Sequence, residues 1–172
     1  VLGTAIEAHF VPNGRPIFYL SPRGKVFNQK TARELTTNYS GINILCGRYE
    51  GVDERVINEY SITEISIGDF VLSSGDLAAI ALLDACVRLI QGVLDEESAL
   101  SEESFGASKE YQTLLEYPHY TRPCEWKGHK VPDVLLSGNH ANIAKWRLEQ
   151  AKLKTNQVRP DLMDQCWHNE GE

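Results

Sequence analysis

Apolar positions along the first half of the chain come in short blocks separated by polar turns. Ile17-Phe18-Tyr19-Leu20 and Ile42 to Cys46 have the length and β-branched or aromatic content of buried strands, and Ile62 to Ile67 offers a third. Ser21-Pro22-Arg23-Gly24 is predicted to end the first as a turn. Asn28 can cap a helix over about 29–37, which Asn38-Tyr39-Ser40-Gly41 breaks, and a second helix follows near 52–60 with Asp53 and Glu54 in its first turn. Strand, helix, strand, helix at this spacing predicts a parallel α/β sheet. After the loop Ser73-Ser74-Gly75, with Ser74 or Asp76 as cap, a helix over about 77–91 is apolar almost all round. Such a helix is buried on most faces, within its own domain or against a second subunit.

The second half reads differently. Residues 93–116 are acidic, rich in Ser and Gly and without periodicity, the composition of a flexible linker. Tyr117-Pro118-His119-Tyr120-Thr121-Arg122-Pro123 closes it, 133–136 reads as a strand, and a basic helix carrying Trp146 runs from Ala141 to about Lys154. The predicted organisation is an α/β domain over 1–92, the linker over 93–116 and a helical domain over 117–172.

With 172 residues, 42% of them hydrophobic, the chain can build a real core. No window approaches the roughly 18 apolar residues of a spanning helix, and no signal-peptide pattern opens the chain, so a cytoplasmic location is expected. Cys46, Cys86, Cys124 and Cys166 form no C-x-x-C pair; neither a disulfide framework nor a metal site is expected, Cys166 and His168 being the nearest approach to a ligand pair. A net charge of −7 argues against a protein that coats nucleic acid by bulk electrostatics. The charge is uneven, however: Lys145, Arg147, Lys152, Lys154 and Arg159 face only Glu149 between positions 139 and 159, enough for a local phosphate-binding face.

Three loops leave the carboxyl ends of the predicted strands: Leu20-Ser21-Pro22, Gly47 to Gly51, and Ile67 to Gly75. Ligands of open α/β sheets bind there, and small residues let the backbone approach them closely. Any such sheet needs glycines at its strand ends, but three loops together favour a site. Neither G-x-G-x-x-G nor G-x-x-x-x-G-K-[ST] is present, so the usual dinucleotide and triphosphate cradles are absent.

CGRYEGVDERVI, SIGDFVLSSGD, LIQGVL, EYPHYTRP and VLLSGNHANIAKWR, in this order, make the chain resemble the bacterial tRNA (guanine-N1)-methyltransferases, which modify the guanine 3′ of the anticodon. The resemblance runs from about Leu2 to at least Arg159, with a few extra residues between Glu103 and Glu116. It implies a SPOUT-type α/β fold, a parallel sheet with a deep trefoil knot, followed by a small helical C-terminal domain. Threaded chains are exceptions to ordinary topology, and nothing in periodicity shows one.

The resemblance also implies S-adenosyl-L-methionine as cofactor, held by Tyr19, Leu20, Ser21 and Pro22, by Gly47, Tyr49, Glu50 and Gly51, by Ser66, Ile67, Gly68, Asp69, Phe70, Val71 and Leu72, and by Gly75 and Glu116. Glu116 and Glu103 stand where the family carries aspartate. As catalytic residues it implies Glu103, a base supplied by the partner subunit of a homodimer, with Glu102 as neighbour, and Arg88. Read without the family, Glu103 is a solvated charge, Arg88 an ion-pair partner of Asp84 one turn earlier, and Asp53 part of a helix-start charge cluster with Arg48 and Arg55.

The helical domain is the expected tRNA grip, with His119, Ser137, Asn139, His140, Lys145, Arg147, Lys152 and Lys154 as RNA-binding candidates. The plain readings are a turn histidine for His119, an amphipathic helix with a solvated basic side, and a packed Trp146. A SPOUT enzyme acting on another RNA and a non-catalytic RNA-binding module are the alternatives. The sequence begins at Val1 without an initiator Met, and the resemblance implies a preceding stretch that supplies the first strand and a glycine-rich loop.

Overall fold

A computed structural model describes residues 1–10, 13–48, 51–94 and 100–164. They fall into two compact units, Val1–Asp95 and Glu96–Glu172.

The first unit is built on a parallel sheet. Helix α1 (Leu2–His9) leads to β1 (Ile17–Val26), α2 (Gln29–Asn38), β2 (Asn43–Leu45), α3 (Glu54–Glu59), β3 (Thr63–Ser66) and α4 (Asp76–Val87). The strand order is β2-β1-β3, with Phe18 opposite Ile44 and Thr63. Ile17 to Ser21 are all buried, as befits a central strand covered on both faces. Side chains alternate between two cores. Phe18 and Leu20 pack with Ala32 and Leu35 of α2 and Ala78, Leu82 and Cys86 of α4, while Ile17 and Tyr19 pack with Ile6 of α1 and Ile57 of α3. Asn28 caps α2 as expected, accepting from the Thr31 N–H at 3.0 Å.

Four local expectations are corrected. The turn at Ser21-Pro22-Arg23-Gly24 does not end β1: the strand resumes, and Ile65 has both Leu20 and Lys25 as register partners, with the four intervening residues as an excursion. Pro22 cannot donate to a ladder, which accounts for the break. Gly24 is pressed onto β3, where a Cβ would lie 2.3 Å from the Glu64 carbonyl carbon. Neither Ser74 nor Asp76 caps α4; Gly75 is the N-cap, and the Asp76 carboxylate instead accepts from Ser74 Oγ at 2.8 Å and Arg48 Nη2 at 3.1 Å. That helix stops at Val87 rather than Gln91, because successive i→i+3 bonds from Leu89, Ile90 and Val93 tighten the chain before Gly92 at φ +82°. Lastly, 133–136 is a short helix, α5 (Asp133–Leu136), not a strand: an apolar run this short has no readable period, and Pro132 starts a turn closed by Leu135 N–H to its carbonyl at 3.0 Å.

The second unit also holds a hairpin, β4 (Glu125–Trp126) and β5 (His129–Lys130), then α5, α6 (His140–Val158) and α7 (Pro160–Asp164). The hairpin turn places Lys127 at φ +49° and Gly128 at φ +81°, the positive pair of a type I′ turn. Neither it nor α1 nor α7 was expected from the sequence. Asn139 caps α6, accepting from the Asn142 N–H at 3.2 Å. The core is Ala151 with Tyr111 and Leu114 from the acidic stretch, and Thr155, fully buried, accepts the Leu115 N–H at 2.8 Å while donating to the Ala151 carbonyl.

Among the described residues no helix is long and apolar enough to cross a membrane, and no cluster of three metal-ligating side chains occurs. Cys166 and His168 lie outside the described residues.

Candidate functional site

At the carboxyl ends of the three parallel strands the first unit opens a cleft of about 150 Å³. Its walls are the three loops read from the sequence. Tyr19, Leu20, Ser21 and Pro22 leave β1, Gly47 leaves β2, and Ser66, Ile67, Gly68, Phe70, Val71, Leu72 and Gly75 connect β3 to α4. The lining also includes Arg48, Ser73 and Ser74, which fall within the loops named from the sequence though not among the individual cofactor candidates, and Ile65 and Ala78, which the sequence reading missed. Ile65 and Ala78 enter only through packing.

The glycines are used for close approach. A Cβ on Gly47 would sit 2.8 Å from Tyr19 Cε2 and 2.9 Å from its Oη, and the Gly47 carbonyl accepts the Gly75 N–H at 3.3 Å, joining the end of β2 to the start of α4. Gly68 has φ +145°, and a Cβ there would meet the Phe70 ring at 2.7 Å. Ser66 Oγ fixes that bend by accepting the Gly68 N–H at 3.1 Å and donating to its carbonyl at 3.0 Å. Backbone and ring faces thus border the cleft, a surface suited to a flat ligand with apolar and hydrogen-bonding parts. Burial, reinforced by Glu64 and opposed by Arg23, pushes the Tyr19 phenol up; burial and then Asp76 do the same for the Cys46 thiol. Both stay neutral near pH 7.

Other candidates fall elsewhere. Asp69 is exposed and does not line the cleft, Gly51 at φ +110° stands 3.9 Å, Cβ to Oη, from Tyr19, and Tyr49 and Glu50 lie outside the described residues. Glu116 belongs to the second unit, where its carboxylate lies 3.0 Å from His119 Nε2 and its N–H donates to Ser104 Oγ. Arg88 is the C-cap of α4, its N–H bonded to the Asp84 carbonyl at 3.2 Å. The helix-start cluster expected at α3 forms in part: Asp53 accepts from the Arg55 N–H and from its guanidinium, which holds the carboxyl down at about 2, whereas Arg48 pairs with Asp76 instead.

Glu103 sits in a closed loop of the second unit. Ala107 N–H bonds to the Leu100 carbonyl at 2.8 Å, Ser108 N–H to Ser101 at 3.3 Å and Gly106 N–H to Glu103 at 2.9 Å. A side chain on Gly106 would collide with the Ser101 carbonyl. Its neighbour Glu102 is engaged by Tyr117 Oη and Arg147 Nη1, each at 3.4 Å.

The RNA candidates form two groups. His140, Lys145, Lys152 and Lys154 are exposed along α6. Ser137 and Asn139 also face solvent, but their side chains bond within the helix start, Ser137 Oγ to the Val134 carbonyl and Asn139 Oδ1 to Asn142. Arg147 and His119 are partnered by Glu102 and Glu116.

Residues 1–165 match the family model described as tRNA (Guanine-1)-methyltransferase TrmD. The chain is 51% identical over 164 residues to a tRNA (guanine-N(1)-)-methyltransferase of Roseobacter denitrificans, covering 94% of this chain and 66% of the relative. Relatives of the same description from Brucella ovis and Ruegeria pomeroyi are 53% and 48% identical, covering 95% and 94% of this chain and 65% of each relative. The chain therefore spans just under two thirds of the length of these relatives. A match over nearly all of its residues leaves one assignment: the chain belongs to the tRNA (guanine-1)-methyltransferase family.

Proposed function

We propose that the protein containing this chain transfers a methyl group from S-adenosyl-L-methionine to N1 of the guanine immediately 3′ of a tRNA anticodon, in the cytoplasm and as a homodimer. The observation that carries this reading is the cleft at the three strand ends, whose lining includes most of the residues expected to hold the cofactor, Gly47, Gly68 and Gly75 among them. Tyr19, Ser21, Gly47, Ser66, Gly68 and Gly75 would hold it, and when bound it supplies an electrophilic methyl group.

Guanine N1 is a reluctant nucleophile because it carries a proton and its electrons are delocalised towards O6. A base must take the proton and a cation must stabilise charge at O6. In this reading Glu103 is the base and Arg88 the cation.

We include the SPOUT trefoil knot in the proposal as what membership of the family implies, on the parallel sheet that the first unit carries. The dimer is supported by α4, which exposes Leu77, Ile80, Leu83 and Val87 opposite its buried face. The exposed lysines of α6 support tRNA as the substrate that the second unit grips.

Isothermal titration with S-adenosylhomocysteine, followed by methyl transfer to transcripts with and without guanine after the anticodon, tests the reading. Saturable binding at one site per subunit and transfer to the guanine transcript alone are expected of the full-length protein. No binding would remove the cofactor assignment, and equal transfer to both transcripts would assign a different RNA.

A further inference from the structure

We propose that a second cleft, between the 117–124 segment and helices α5 and α6, is a subsite for one unstacked nucleotide of the RNA; this rests on the reading of the second unit as RNA-binding. The cleft measures about 390 Å³, in the range of roughly 300–1,000 Å³ typical of small-ligand sites and suited to a single base with its sugar and phosphate. Leu135 and Ile143 contribute apolar lining, with Tyr120 and Trp146 among its aromatic residues. Those two rings lie 6.2 Å apart at 57°, tilted rather than stacked in parallel, and Tyr120 is 46% exposed.

Charge favours a nucleotide over an apolar peptide. Two arginines line the cleft, but Arg147 is already committed to Glu102 and the Tyr117 ring. Arg122 makes no ion pair among the described residues, which leaves it as the cation for a phosphate. His119, also in the lining, lies 3.0 Å from the Glu116 carboxylate through Nε2, which gives that carboxylate a partner. A tilted aromatic pair beside an exposed guanidinium is a combination that holds single-stranded nucleotides, with a stacking contribution of about 1–3 kcal/mol per base and little sequence preference.

Full-length protein carrying Tyr120→Ala should bind an unmodified tRNA transcript about 5- to 100-fold more weakly. Tyr120→Phe should restore most of that loss, and affinity for a fully paired RNA duplex should be unchanged. The exposed Arg122→Gln change, which removes no core contact, should weaken tRNA binding and reduce its salt slope by about 0.7–0.9. Parental tRNA affinity in both Tyr120→Ala and Arg122→Gln would overturn the subsite while leaving the RNA reading intact, as would an equal loss on duplex and tRNA. A parent that binds no tRNA would overturn both.

Discussion

Arg147 reaches two groups at once: its Nη1 lies 3.4 Å from Glu102 Oε2, and its guanidinium covers the Tyr117 ring at 4.8 Å. It thereby ties the loop that carries Glu103 to the middle of α6. Both charged partners are partly exposed, 39% and 45%, so the ion pair is screened and the ring contact contributes comparably. Arg147→Ala should lower the urea stability of the second unit by about 1 kcal/mol, and Arg147→Lys, without a planar guanidinium, should recover only part of it. A destabilisation below about 0.2 kcal/mol would show that the contact is ornamental.

The two adjacent glutamates should separate by phenotype. Glu103→Gln is expected to slow methyl transfer by about 10²-fold or more with cofactor affinity unchanged, because it removes the proposed proton acceptor. Glu102→Gln should act chiefly on stability. Single-turnover transfer alongside denaturant curves reads both, and a reversed pattern would move the base to Glu102.

Gly47→Ala puts a methyl group against a Tyr19 ring that is only 7% exposed and cannot swing away freely. Overpacking of this kind costs about 1–3 kcal/mol, and the strain falls on the cleft at the strand ends. Titration with S-adenosylhomocysteine should show at least about a tenfold loss, with a smaller change for Gly14→Ala, which strains a backbone at φ +63° but does not line the cleft.

Burial, with Glu102 and Tyr117 nearby, pushes Tyr111 up to about 12 from its usual 10, and burial also raises Tyr117. The folded state therefore holds its phenolic protons more tightly than the unfolded chain does. The associated stability is fully present below about pH 10 and is lost as the pH rises towards 12. Alkaline unfolding monitored by tyrosinate absorbance should begin in that window, and Tyr111→Phe should flatten the dependence.

Lys145 and Lys152 are seven residues apart and share one side of α6, whereas Lys154 lies on the other flank of the buried stripe with Arg147, since each residue turns the helix by about 100°. Lys145→Ala with Lys152→Ala should lower the salt slope of tRNA binding by about 1.4–1.8 while cofactor affinity stays constant. Slopes equal to the parent's would take this face off the RNA surface.

Much of the first unit was legible in the sequence because its elements are locally specified. Apolar β-rich runs specify the strands, Asn28 specifies a cap with its hydrogen bond, and glycines at strand ends mark the cleft. The five segment matches carried the family. What the sequence left undetermined depends on contacts between residues far apart. Ile65 acquires two partners only because β1 resumes beyond Gly24, and Arg48 enters the cleft wall beside Asp76, 28 positions away. Composition made 93–116 look unstructured, but Tyr111 and Leu114 are buried against Ala151 once α6 is in place. Local propensity names an element, whereas burial, register and the pairing of charges are settled by whatever the fold sets opposite it.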